Sequence, residues 1–322
     1  MGKTPTTTPR FLPTPWVGSP RRHGERITVP INVELDGQRV HTDAALWKYS
    51  SDDGAAQRPR LLLIHGFRGD HHGMQLIADA LAEFEVLVPD LPGYGQTAPM
   101  RDVRTGERVE HTVEVYAGVV EALAEKQGLG SGDGLLGHSF GTIVCAAHVA
   151  RHRRPWAGLV LSAPVSDDIF SGKLLPGAAV VELYYRLCQL LPEAAGDAVL
   201  RSRAVLEVMN LTLGVGWDPQ LGAFAKDQHR QFFGDYSDRG TLLESYHASS
   251  RHTVLDYAED IRVPTLLAAG AKDNLSTPEG LRALREALPG GALEIIRHAG
   301  HLVHYERPAQ LARAVRRFLH DL

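Results

Sequence analysis

Ser139 stands in the pentapeptide Gly137-His138-Ser139-Phe140-Gly141, after the apolar pair Leu135-Leu136 and before a stretch patterned as a helix. A serine with a glycine two residues away on either side, at a strand-to-helix junction, is the pattern of a hydroxyl held out of a sheet on a tight turn. Side chains at positions 137 and 141 would collide with the strand and helix beside that turn. Holding a serine there costs about 1–3 kcal/mol of backbone strain. The hydroxyl becomes a useful nucleophile only when a base takes its proton and a third group orients the base. Two later segments offer those partners. Asp273 follows an apolar run, in Gly270-Ala271-Lys272-Asp273-Asn274, and His301 follows another, in His298-Ala299-Gly300-His301. Serine, acid and histidine in that order point to nucleophilic acyl transfer.

Such chemistry also needs backbone N–H groups aimed at the oxyanion, a contribution of several kcal/mol in the transition state. Phe140, directly after the nucleophile and at a helix N-terminus, supplies one, with the helix dipole favouring negative charge. The loop His65-Gly66-Phe67-Arg68-Gly69-Asp70-His71-His72-Gly73 supplies the other, through the N–H of Phe67. Each assignment has a competitor. Asp273 could simply open a turn with Asn274. His298 and His304 flank His301, and Asp260 precedes its strand where Asp273 follows one.

These side chains require a scaffold that brings strand ends together. Glu25 to Val33 and Val40 to Tyr49 are patterned as strands joined at Asp36-Gly37, a hairpin signal. Arg60 to Ile64 is a short apolar run suited to a strand buried on both faces, Glu85 to Pro89 reads as another buried strand, and Ala157 to Ser162, Pro264 to Ala269 and Ala292 to Arg297 read as further strands. Between them come helical patterns at Gly73 to Phe84, around Val115, Val119 and Ala122, at Phe140 to Arg151, and near Pro278 to Leu288. A last helix carries Leu311, Ala314, Val315, Phe318 and Leu319 on one face. The alternation predicts a mostly parallel sheet covered by helices on both sides. Residues 25–164 and 251–322 would form this core. Residues 165–250 show helical periods and no strand, and would sit as a cap over the carboxyl ends of the strands.

His65-Gly66, Asp90-Leu91-Pro92-Gly93-Tyr94-Gly95, the serine pentapeptide, and Gly300-His301 with Glu306 and Pro308 together resemble the α/β-hydrolase superfamily over roughly residues 25–322. The resemblance implies an eight-stranded sheet, a Ser139–His301–Asp273 triad and no cofactor. The loop from His65 to Gly73 is similar to that of poorly characterised actinobacterial members. Haloalkane dehalogenases and epoxide hydrolases of the superfamily carry Asp where this chain has Ser139. Carbon–carbon hydrolases usually have a second glycine where it has Thr142, and proline iminopeptidases have Trp where it has Phe140. The expected reaction is hydrolysis of a medium-sized apolar ester, lactone or thioester. The alternatives are a lyase or acyltransferase on the same scaffold, a carbon–carbon hydrolase, or a catalytically silent binding protein.

Composition is that of a soluble globular chain: 322 residues, 43% hydrophobic, 22% charged and a formal net charge of −4, which gives no footprint for nucleic acid. No run of about 18 apolar residues spans a bilayer. Residues 1–24, rich in Pro and Thr, lack the apolar centre of a secretory signal and read as an extended arm laid down through Phe11 and Trp16. A cytoplasmic location is the default expectation. Cys145 and Cys188 read as buried hydrophobes. Gly132 to Gly137 spells Gly-x-Gly-x-x-Gly but precedes a strand, against a dinucleotide site. Asp70, His71 and His72 are the densest metal-ligating cluster. Adjacent histidines on a helix should point about 100° apart, and Asp70 suits a helix cap. No metal is expected. Arg68 could meet a substrate carboxylate or enolate, or be solvated or paired with Asp70. Tyr184, Tyr185, Trp217 and Phe232, with Phe224 and Phe233, could line an apolar pocket or form the interior of the cap. The expected partner is a small-molecule substrate.

Overall fold

The computed structural model describes residues 22–35, 37–50, 59–215 and 218–322. The expectations for the arm, apart from its last three residues, and for Phe11, Trp16, Asp36 and Trp217 lie outside the described residues. The chain begins with strands β1 (Glu25–Leu35) and β2 (Gln38–Tyr49), paired antiparallel around Gly37, whose φ of +80° suits the hairpin turn. Then come β3 (Arg60–Ile64), α1 (Gln75–Ala80), β4 (Glu85–Pro89), the two-residue β5 (Arg101–Asp102), α2 (Val113–Lys126), β6 (Gly134–His138), α3 (Phe140–His152) and β7 (Gly158–Ser162). Five helices follow: α4 (Leu175–Leu190), α5 (Glu193–Leu200), α6 (Arg203–Leu213), α7 (Pro219–Phe232) and α8 (Arg239–Ser250). The chain closes with α9 (Leu255–Ala258), β8 (Thr265–Gly270), α10 (Pro278–Ala287), β9 (Ala292–Ile296), α11 (Val303–Glu306) and α12 (Pro308–His320).

The strands lie in the order β1-β2-β4-β3-β6-β7-β8-β9, with β5 paired to β2 off this path. The expected eight strands are therefore joined by a ninth too short to leave a periodic signal. From β4 to β9 all neighbours run parallel. Parallel strands put their carboxyl ends on one rim, and Ile64, His138, Gly270 and Ile296 end β3, β6, β8 and β9 there. One core forms where α2 and α3 cover the sheet, around Leu62, Leu135, Val120 and Val144. A second forms on the other face around Leu63, Leu136, Ile77 and Val315 from α1 and α12. Strands buried on both faces explain why β3, β6, β7 and β8 read as continuous apolar runs.

One local reading needs correction. The helix expected over residues 73–84 is shorter, because residues 71–74 form a 3-10 turn and α1 ends at Ala80. Its chain then turns through Leu81 and Phe84 into β4. In residues 165–250 the helices are as expected, but α4 turns Val180, Leu183, Leu187 and Leu190 outward, with Leu190 82% exposed. Only Ala178, Tyr185 and Cys188 of that helix are buried. Both cysteines are buried free thiols on separate helices.

Candidate active site

The turn after β6 has the strain its sequence predicts. Ser139 has φ 52° and ψ −122°, outside the regions that side-chain-bearing residues favour, and stands at the N-terminus of α3. The flanking glycines are required by space. A Cβ on Gly137 would lie 2.3 Å from the Gly141 carbonyl oxygen, and one on Gly141 would lie 2.4 Å from that of Ile64. Thr142, where carbon–carbon hydrolases usually have glycine, donates its hydroxyl to the Ser139 carbonyl at 2.6 Å and accepts from the Val165 N–H at 3.3 Å. That links the nucleophile turn to the start of the helical insertion.

His301 Nε2 lies 2.7 Å from Ser139 Oγ. On the other side of the ring, Nδ1 lies 3.0 and 3.1 Å from the two Asp273 oxygens. Both side chains are almost fully buried. The carboxylate can only accept, so Nδ1 carries the proton and Nε2 presents its lone pair to the hydroxyl. Asp273 also accepts the Leu275 N–H at 2.9 Å, which fixes the carboxylate in its loop. The competitors are elsewhere. His304 packs against His138, with ring centroids 3.7 Å apart and the rings tilted by 48°, and burial holds both well below the usual histidine range. His298 lies in the turn after β9 at φ 59°. Asp260 lies in the turn leading toward β8, at the opposite end of that strand from Asp273.

The loop after β3 passes directly over Ser139, since a Cβ on Gly66 would come 3.1 Å from Ser139 Cβ. A Gly69 N–H to Gly66 carbonyl bond of 3.1 Å closes a turn with Phe67 and Arg68 at its centre. Among the described residues, no hydrogen bond uses the Phe67 or Phe140 backbone N–H. Sequence reasoning missed the strut beneath this loop. His65 Nε2 accepts the Leu91 N–H at 2.9 Å, while Nδ1 donates to the Gly66 carbonyl at 2.8 Å. Burial lowers the His65 pKa and keeps the ring neutral, as those two bonds require. The signal was present in the His65-Gly66 and Asp90-Leu91 motifs, whose spacing did not reveal that they touch.

Glu306 is a second omission. Its carboxylate accepts the Gly300 N–H at 2.7 Å and the Val215 N–H at 2.6 Å, joining the His301 loop to the segment after α6. Asn274, beside Asp273, donates to the Thr212 carbonyl of the same region at 2.5 Å.

The remaining candidates divide. Tyr185 is buried, stacks on Tyr246 at 4.0 Å and meets the edge of Phe67 at 6.2 Å; Tyr184 packs on Tyr185 at 5.1 Å. These aromatics gather over the Phe67 loop. Phe232 stacks on His72 at 3.6 Å and so covers the 3-10 turn before α1. Arg68 is neither solvated nor paired with Asp70: it is 3% exposed, and its guanidinium is turned into the insertion. Asp70 caps the following turn as expected, accepting the His72 N–H at 2.9 Å. The expected splay of His71 and His72 is wrong, because on this tight turn their rings lie 3.9 Å apart. Their possible ligand atoms and that of Asp70 fall within 4.8 Å of one another. Each Nδ1 is engaged by a carboxylate, His71 by Asp90 and His72 by Asp70.

A parallel sheet carrying these residues at its rim is the architecture of the α/β hydrolases. Residues 59–308 match the α/β hydrolase fold family, and the chain belongs to it. It is similar to lipase 3 of Moraxella sp., 22% identical over 268 residues that span 79% of this chain and 75% of that protein. It is also similar to human monoacylglycerol lipase ABHD6, 24% identical over 289 residues that span 87% and 81% of the two chains. Among solved structures, a thermophilic esterase from Thermogutta terrifontis has a TM-score of 0.70 at 22% identity, covering 92% of this chain and 98% of that one. The enol-lactonase from Burkholderia xenovorans has a TM-score of 0.66 at 18% identity, covering 90% and 99%. No helix among the described residues is long and apolar enough to cross a membrane.

Proposed function

We propose that this protein is a serine-dependent ester hydrolase acting through an acyl-enzyme. The observation that carries the reading is the continuous relay from Ser139 through His301 to Asp273. Ser139 Oγ attacks the substrate carbonyl carbon as His301 Nε2 takes its proton, and Asp273 stabilises the imidazolium and holds its orientation. The Phe67 and Phe140 N–H groups receive the oxyanion of the tetrahedral intermediate. His301 returns the proton to the leaving alkoxide, then activates water to release the acyl group by the reverse sequence.

Residues 165–250 act as a cap over this mouth, with residues 25–164 and 251–322 as the catalytic core. The tyrosines gathered over Phe67 support a medium-sized apolar acyl or alcohol group. Relatives named as lipases and a structural neighbour named as an enol-lactonase are consistent with esters or lactones of that kind. The test is turnover of p-nitrophenyl esters from acetate to decanoate. Hydrolysis peaking at intermediate chain length and falling at least a thousandfold in Ser139→Ala is expected. Wild-type inactivity across the panel, or full activity in Ser139→Ala, contradicts the reading; the second result would favour base catalysis by His301 alone.

A further inference from the structure

Arg68 occupies a backbone position that an arginine should avoid. It is the second central residue of the Gly66–Gly69 turn and has φ +58°, where glycine or asparagine is preferred in a turn of this shape. For an ordinary L-residue that left-handed conformation is strained. Glycine at 68 would remove the strain, so the presence of arginine calls for a use of its side chain. The side chain is buried, and among the described residues no carboxylate forms an ion pair with it. Its counter-charges are two helix ends. Nη2 donates to the Leu200 carbonyl, at the last residue of α5, at 2.7 Å; Nε points to the Phe233 carbonyl, one residue past α7, at 3.4 Å. Carbonyls at helix C-termini lack intrahelical partners, and the dipole there favours a cation. The guanidinium also lies over the Phe233 ring, 4.5 Å from its centroid, and 5.6 Å from that of Tyr236. Tyr185 is near enough for Arg68 to oppose the rise that burial imposes on its phenol.

We propose that Arg68 is a positioning residue that locks α5 and α7 onto the turn bearing the Phe67 N–H, so that this oxyanion donor is held in place only while the two helices are docked. The inference rests on the proposed oxyanion role of Phe67. It gives the insertion a part in catalysis beyond covering substrate, because Arg68 and the Phe67 N–H belong to one turn closed by the Gly69 to Gly66 hydrogen bond. The Phe67 N–H shares its peptide plane with the Gly66 carbonyl, which accepts the Gly69 N–H that closes the turn, so a rotation of residue 68 out of its strained φ displaces Gly69 and frees the peptide that carries the donor. The clamp on the side chain opposes that rotation.

Arg68→Gly removes the clamp without leaving a strained side chain behind, so a loss of rate reports the loss of the clamp itself. With p-nitrophenyl butyrate as substrate, we expect Arg68→Gly to lower kcat about ten- to a hundredfold with KM within about threefold, approaching the loss of one oxyanion donor. Affinity for phenylboronic acid, which adds to Ser139 as a tetrahedral anion, should weaken in step with kcat. Arg68→Lys, which keeps the charge, should recover part of the loss. Phe233→Leu, which alters the insertion side alone, should shift kcat the same way by less, and the double variant Arg68→Gly/Phe233→Leu should be no worse than Arg68→Gly. Wild-type kcat in Arg68→Gly, or additive effects in the double variant, overturns the proposal. If Arg68→Gly does not fold, an unchanged kcat and boronate affinity in Phe233→Leu overturns it instead. An inactive wild type would sink the ester-hydrolase reading, whereas an active wild type with an indifferent Arg68→Gly sinks this inference alone.

Discussion

Strain and contact at single residues define the site. Ser139 sits in its unfavourable conformation because the structure leaves it no alternative: Gly137 and Gly141 allow a close crossing of β6, α3 and the end of β3. The space at Gly141 is bounded by the Ile64 and His65 carbonyls, which are backbone atoms and cannot swing aside. Gly141→Ala should therefore destabilise the fold by about 1–3 kcal/mol, as overpacking does. It should also lower kcat by about a hundredfold, because a displacement near 1 Å misaligns the nucleophile. Urea unfolding and ester kinetics on the variant check both, and a variant equal to wild type in midpoint and kcat would refute the packing argument. The positions of Ser139 and Asp273 were legible because each follows a run that forms a fully buried strand, whereas His301 follows the edge strand β9, of which only Ile296 is buried. His65 and Glu306 were visible as letters and opaque as parts, since their partners Leu91, Gly300 and Val215 are joined to them only by folding.

Among the elements, legibility followed periodicity. Strands β3, β4, β7 and β8 are nearly continuous apolar runs whose places agree with the sequence to within one residue, and α12 buries Leu311, Ala314 and Val315 of its expected stripe. The failures come where local pattern and tertiary surroundings disagree. Residues 73–84 carry enough apolar positions for a longer helix, yet Asp70 caps a 3-10 turn first, and Leu81 and Phe84 are spent on the turn into β4. Strand β5 is two residues long, below any period. Helix α4 is apolar on nearly all sides, so its composition does not say which side faces inward. Its buried stripe is Ala178, Tyr185 and Cys188, Glu182 and Tyr184 are half-buried, and the rest is exposed. Arg68 was the least legible contact, because its acceptors are backbone carbonyls, which have no sequence signature.

At the scale of the whole molecule, the fold encloses several imidazoles in their neutral form. Burial holds His148 at about 3 and His229 at about 4, and keeps His138 and His304 well below the usual value near 6.5. A base whose native pKa is depressed binds fewer protons folded than unfolded. Its contribution to stability is therefore intact above pH 6.5 and is lost as pH falls toward the native pKa, by about 1.4 kcal/mol per unit for each group. Glu244, held at about 2 by His111 and Arg108 against the opposing effect of burial, stays ionised throughout this window and does not offset the loss. The urea midpoint should thus fall steeply between pH 7 and pH 5. A midpoint flat across that range would mean that these rings are not neutral and enclosed as the structure has them.

The same enclosure surrounds the Ser139–His301–Asp273 relay, on which the functional account stands. The most direct measurement is intact mass of the wild-type protein quenched during turnover of a slowly released ester, with the modified peptide sequenced. The account predicts a transient mass increase equal to the acyl group, located on Ser139, that decays as product accumulates and is absent in Ser139→Ala. Steady hydrolysis in which no acyl adduct ever forms on Ser139, even with deacylation slowed, would contradict it.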